Sequence, residues 1–303
     1  MEFLPFFFCE SVCVLLKNVG NLAMLCHKNP NCDYWSAAIG EETKKRPAFK
    51  LEVSCASGEW AHIISDPFHK PNKFKFSRAE TISFAVLQTI CAKRHLRLEE
   101  ISIFNADFCT GTRASVAEIE EILEFTAPYV YEAEFCALSY QESAQFSHET
   151  LEKLLSICNK QAFTKIHLDS QHDLFEAFVK PHLRFGFLEK LIVAGKCSDD
   201  FCSAIEEFAL QQPYRLLQFD AFKRLDFEFF KQFYRKPLVG VDRCVFRAKK
   251  MVLYFLEELR EFEKENQMTF DSIRSSWRRT DGLVFGFNYN KSLQFELILS
   301  TDA

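Results

Sequence analysis

Glycine is scarce in this 303-residue chain, at 9 residues, against a usual share of roughly 7%. That scarcity removes the glycine-rich loops that cradle phosphates: neither G-x-G-x-x-G nor G-x-x-x-x-G-K-[ST] occurs. The chain also has only 3 Trp and 8 Tyr, so aromatic stacking platforms with a polar handle are few. It has no excess of positive charge, the formal net charge being −5, which speaks against a broad nucleic-acid footprint. No stretch approaches the ~18 uncharged apolar residues that a membrane-spanning helix needs. None of the 12 cysteines forms a C-x-x-C pair, and no H-E-x-x-H or G-x-S-x-G catalytic signature appears. What the chain has in quantity is phenylalanine, 34 residues, bulk without a hydrogen-bonding group and therefore core filling.

The cysteines are diluted through a long chain rather than arranged as a disulfide framework. Cys26, His27 and Cys32 supply at most one loose half of a zinc site. Cys13, Cys91, Cys136, Cys158 and Cys244 sit in apolar surroundings and read as small buried thiols. Neither a metal nor a cofactor is expected. The apolar start, Met1 to Phe8, carries Glu2, no early basic residue and a Pro at position 5, so it does not read as a secretory leader. A cytoplasmic or nuclear setting is the expectation.

A strand-like pattern, apolar-x-x-apolar-x-apolar, recurs six times. It reads Leu98/Ile101/Ile103, Val130/Ala133/Phe135, Phe163/Ile166/Leu168, Leu188/Leu191/Val193, Tyr214/Leu217/Phe219 and Val241/Cys244/Phe246. First positions advance by 32, 33, 25, 26 and 27 residues. Amphipathic helices follow the strands. Ser115-x-x-Glu118 is a capping box ahead of Val116, Ile119, Ile122 and Leu123. Further stripes run through Leu151, Leu154, Leu155 and Cys158; Leu174, Phe175, Phe178 and Val179, ended by Pro181; Phe201, Ile205, Phe208 and Ala209; and Leu225, Phe229, Phe230 and Phe233. A last helix is expected from Leu253 to Leu259. Pro128, Pro213 and Pro237 mark helix-to-strand junctions.

Alternating strands and helices with short connections predict an α/β chain with parallel strands. The strands keep polar residues between apolar ones (Ser102, Glu134, His167, Gln218), unlike the continuous apolar runs of a doubly wound sheet. One open face, and hence a solenoid with strands on one side, is the expected architecture. The later spacing resembles leucine-rich-repeat lengths, although Ala106 and Lys196 stand where those repeats carry asparagine. The outward strand residues are then Ser102, Phe104, Glu134, Cys136, His167, Asp169, Gln218 and Asp220. They are candidates to hold a protein partner with some basic character. His167, Asp169 and His172 form the densest polar cluster, read as a solvated strand edge rather than a catalytic or metal site.

The ends differ from the repeats. Residues 1–45 read as all-helical. Residues 46–97 read as a connecting hairpin, Phe49-Lys-Leu51-Glu-Val53 with Trp60 to Ile64, and a helix capped by Ser77-x-x-Glu80. Residues 98–303 read as the solenoid, closed by a β-hairpin of Gly282 to Phe287 and Leu293 to Leu299.

Leu4-Pro5, with Phe8, Val12 and Leu15 following at helical spacing, resembles the start of an F-box. Leu22, Leu25-Cys26 and Trp35 resemble the remainder of that motif. The opening is also similar to the large, divergent F-box-like families of nematodes. The resemblance implies a small helical module that binds Skp1 of a cullin-RING ubiquitin ligase, followed by leucine-rich repeats that hold the substrate. It makes Leu4, Pro5, Phe8, Val12 and Leu15 the Skp1-binding candidates and the chain a non-enzymatic substrate adaptor. Two other readings stay open: a repeat-based interaction scaffold whose N-terminal helices are only a cap, and an enzyme on a doubly wound sheet.

Overall fold

The computed structural model describes residues 6–16, 33–56, 58–68, 81–105, 111–139, 147–161, 163–169, 173–194, 197–211, 216–224, 227–235, 243–250, 261–262, 269–271, 276–278, 283–289 and 295–301. The chain is α/β and divides into two compact units, Met1–Lys165 and Ile166–Ala303. The division falls inside the expected repeat region.

The first unit opens with two helices, α1 (Phe6–Leu15) and α2 (Asp33–Lys45). Strands β1 (Ala48–Ala56) and β2 (Glu59–Ser65) form the expected antiparallel hairpin. Gly58 stands in its turn at φ 83°, a conformation that side chains with a Cβ rarely adopt. Next come β3 (Thr81–Ile82), α3 (Phe84–Lys93), β4 (Arg97–Asn105), β5 (Thr112–Ala114), α4 (Val116–Thr126), β6 (Val130–Ser139) and α5 (His148–Cys158). The strand order is β3-β2-β1-β4-β6, with β5 also on β2. β1, β4 and β6 run parallel. Because β1 pairs with β4, the segment expected to connect the helices to the repeats is part of the same sheet.

The register places Leu51, Ile101 and Phe135 side by side, and next to them Val53, Ile103 and Ala137. All six are buried, and each large side chain there contributes roughly 1.5–3 kcal/mol by leaving water. Phe135 extends this core to Phe163, ring centroids 5.4 Å apart, while Phe84 meets Phe125 edge-on. Among the described residues, Phe49, Phe135, Phe163, Phe175, Phe201 and Phe219 are large, fully buried core groups. The Ser115/Glu118 capping box forms as expected. The expected helix from Ser77 does not: residues 81–82 are strand, and α3 starts at Phe84 with Ser83 accepting from the Val86 amide. Ser83 followed by a good helix former supplies the cap, and Ser77 and Glu80 lie outside the described residues.

The second unit contains β7 (Lys165–Asp169), α6 (Asp173–Phe185), β8 (Lys190–Ala194), α7 (Asp199–Gln211), β9 (Leu216–Arg224), α8 (Phe227–Arg235) and β10 (Arg243–Lys250). Four further strands follow: β11 (Thr269–Asp271), β12 (Ser276–Arg278), β13 (Leu283–Tyr289) and β14 (Phe295–Thr301). Their order is β7-β8-β9-β10-β14-β13-β12-β11. β8, β9 and β10 are parallel, and the strands from β10 outward are antiparallel. The expected C-terminal hairpin is β13–β14, with Phe287 opposite Leu297.

Every described apolar residue of the repeat pattern whose burial is defined is buried, from Leu98 through Leu191, Val193, Leu217 and Phe219. Pro181 does not end its helix: α6 continues to Phe185. An internal proline costs about 3 kcal/mol or more, but Phe178, Val179, His182 and Leu183 are buried on both sides of it, and their packing holds the last turn. The expected helix over Leu253–Leu259 and the junction residues Pro213 and Pro237 lie outside the described residues.

Candidate functional site

The N-terminal candidates sit on α1. Cys9 and Cys13 repeat at i and i+4 and are buried with Trp35, Ala38 and Ile39 of α2. The Cys13 thiol is pushed up to about 11, chiefly by burial and also by Cys9 and Glu42, so it stays a protonated, unreactive core group. The end of α1 is fastened to the sheet. Arg46 donates to the Cys13 carbonyl at 2.9 Å and the Leu16 carbonyl at 2.7 Å. Its Nε pairs with Glu42 at 3.1 Å. His95 Nδ1, preceding β4, is 3.0 Å from the same Leu16 carbonyl. Carbonyls that a helix end leaves without intrahelical donors are thereby satisfied.

With one stripe of α1 buried and its end anchored, several apolar side chains around the rest of the helix stay open, with the exposed Ser11 among them. Phe8 is 48%, Val14 48%, Leu15 79% and Tyr34 of α2 57% exposed. Phe8 and Leu15, two of the Skp1-binding candidates, are among these exposed side chains. Val12 is half-buried, because its position turns toward the Cys9/Cys13 stripe. Leu4, Pro5, Leu22 and Leu25 lie outside the described residues, as do Cys26, His27 and Cys32. Val14 and Tyr34 are surface members that the sequence reading missed; each adjoins a residue it named, Leu15 and Trp35.

The strand candidates in the first unit come together on one face. Ser102 of β4 is opposite Cys136 of β6 and Glu52 of β1. One step along, Glu100 is opposite Glu134 and Lys50. Ser102 and Cys136 are buried, and Phe104 and Glu134 are half-buried. On this polar face Ser102 and Cys136 are shielded rather than exposed: their short side chains lie below the longer groups around them. Lys50 Nζ meets Glu100 Oε2 at 2.6 Å, and Ser102 donates to Glu100 Oε1 at 2.6 Å. Burial pushes the Glu100 pKa up, but hydrogen bonds from Lys50, Ser102 and Cys136 overcome it and hold the carboxylate below its usual range. Glu52 goes the other way, raised by burial and then by the Glu100 charge. Three carboxylates around one committed lysine give this face an acidic character suited to a basic group on a partner. Lys50, Glu52 and Glu100 were missed as members; Lys50 and Glu52 are the polar partners in the Phe49–Val53 alternation.

In the second unit His167 is half-buried and Asp169 exposed, at alternate positions of β7. Gln218 of β9 is half-buried opposite Ile192 of β8. Asp220 lies on β9, with its side chain outside the described residues, as is His172. The Cys197 thiol is pushed up to about 12 by burial, Glu176 and Cys202, which suits a passive thiol rather than a nucleophile.

No protein-family model matches the chain, and no curated protein or solved structure matches it either. Among the described residues, no helix is long and apolar enough to cross a membrane.

Proposed function

We propose that the chain is a substrate-recognition adaptor of a Skp1–cullin–F-box ubiquitin ligase, with α1 and α2 as the recruiting module. The observation that carries this reading is the exposure of Phe8, Val14, Leu15 and Tyr34 on a helix pair whose first helix Arg46 fastens at its end. Four large apolar groups kept in water on one small module are costly unless a partner covers them, and an amphipathic helix face is a common way to fill a partner's groove. The role is one of binding, not catalysis, in a cytoplasmic or nuclear setting.

The leucine-rich-repeat-like solenoid is part of the same proposal. It is supported by the strand order, in which β1, β4 and β6, and again β8, β9 and β10, follow chain order without reversal. Doubly wound sheets reverse direction at a switch point. Successive crossovers of one hand in one direction place their helices on one face. The other face of the first unit carries Glu52, Glu100, Ser102, Glu134 and Cys136, and the substrate docks there through basic groups.

A second reading, an interaction scaffold with no ligase link, is favoured by the Arg46 and His95 contacts, since a simple cap also has to be fastened. A pull-down with Skp1 separates the two. The adaptor reading expects capture by the wild type and loss in the Phe8→Asp/Val12→Asp variant. A folded wild type that fails to bind Skp1 rejects it in favour of the scaffold.

A further inference from the structure

The second unit has an open groove of about 280 Å³ between α6 and α7. It lies on the helices, apart from every strand-face candidate. Its walls follow from helical periodicity: Lys180, Leu183 and Arg184 share one face of α6, and Asp200, Ala204, Glu207 and Phe208 one face of α7. Leu183 and Phe208 are buried and form an apolar floor with Ala204.

The charges are not equivalent. Lys180 is committed to Asp200 in a direct ion pair. Asp200 is held below its usual range first by that hydrogen bond and charge, and also by the nearby Arg184. Arg184 itself forms no ion pair or hydrogen bond among the described residues, and neither does Glu207. The groove thus presents one uncommitted guanidinium beside an apolar floor, with a carboxylate on the facing helix.

The size excludes a dinucleotide or a folded partner and suits one or two residues, since pockets for drug-sized ligands start near 300 Å³. A guanidinium fork matches either carboxylate or phosphate. Asp200 and Glu207 disfavour a dianion, which leaves a monoanionic carboxylate attached to an apolar body. We propose that this groove binds the C-terminal residue of a peptide, its apolar side chain on Leu183, Ala204 and Phe208 and its free carboxylate on Arg184. The assignment goes beyond the adaptor reading and does not depend on Skp1 binding.

The test is fluorescence anisotropy with the full chain and a fluorescein-labelled Gly-Ser-Gly-Ser-Gly-Leu-Leu peptide. The free acid should bind, while the same peptide amidated at its C-terminus, and an amidated peptide with an internal Asp-Leu, should bind at least tenfold more weakly. Arg184→Gln should weaken the free acid by roughly ten- to hundredfold, the range of a charge-assisted pair, and Ala204→Trp should abolish binding by filling the floor. Arg184 is exposed, so its variant keeps the fold intact even if the tryptophan disturbs packing. Equal binding of acid and amide, equal binding of the internal Asp-Leu peptide, indifference to Arg184→Gln, or no binding of the free acid at about 1 mM each overturns the assignment.

Discussion

Phe8 meets Trp35 edge-on, with ring centroids 6.4 Å apart and planes at 85°. Trp35 is buried while about half of Phe8 stays in solvent. The two rings therefore divide the work of the N-terminal module. Trp35→Ala empties a core position and should cost about 3–5 kcal/mol. Phe8→Ala removes a half-exposed ring and should cost about 1 kcal/mol or less, while still removing apolar surface from the proposed recruiting face. Urea denaturation of the two variants checks this; equal destabilisation would contradict the division.

Arg46 is the fastener of α1. Its side chain and that of Glu42 are 3% and 10% exposed, so removing one leaves the other charged and buried. Arg46→Met should cost about 3–5 kcal/mol, because it strands the buried Glu42 carboxylate and removes a donor from the Cys13 and Leu16 carbonyls. The double variant Glu42→Leu/Arg46→Met should be less damaging than Arg46→Met alone, since no unpaired charge remains. Thermal melts of the three proteins read this coupling directly.

His62 gives the fold a pH dependence. It is buried on β2, and its Nδ1 has no hydrogen-bond partner among the described residues. Burial lowers its pKa from the ordinary value of 6.5, against a smaller opposing pull from Glu118. The folded state therefore binds this proton less readily than the unfolded chain does. The contribution is fully present above pH 6.5 and is lost as the pH falls through the depressed value. Urea midpoints should drop between pH 7.5 and 5.5 in the wild type and drop less in His62→Gln. An identical slope would assign the acid sensitivity to other groups.

Glu52 and Glu100 are neighbours whose carboxylates shift in opposite directions. Glu100→Gln removes the second cause of the Glu52 shift but not the first, which is burial. Titration followed by carbon NMR of the side-chain carboxyls should show Glu52 moving down toward its usual range without reaching it. The same variant should destabilise by roughly 1–3 kcal/mol, because Lys50, Ser102 and Cys136 lose a charged acceptor. An unmoved Glu52 would show that burial alone sets its titration.

Much of this fold was legible as periodicity. The pairs Ile101/Ile103 and Leu191/Val193 are core because a buried strand face repeats every second residue. The Ser115/Glu118 box was legible because its two hydrogen bonds depend on local spacing alone. What depends on packing was not. Pro181 continues a helix because neighbours hold its last turn. Ser102 and Cys136 are buried because Lys50, Glu52, Glu100 and Glu134 from three strands surround them. No local pattern announces Arg46, whose partners Cys13 and Leu16 are 33 and 30 residues away. The α6–α7 groove joins residues about 20 apart that share no motif.

Phe8 and Leu15 make the surface proposed to meet Skp1, and isothermal titration of the full chain with purified Skp1 decides whether they do. The wild type should bind saturably and Phe8→Ala/Leu15→Ala should lose roughly thirtyfold or more in affinity, the scale of a hot-spot deletion, with the thermal melt little changed. Absence of heat with a folded wild type, or equal affinity in the double variant, would contradict it.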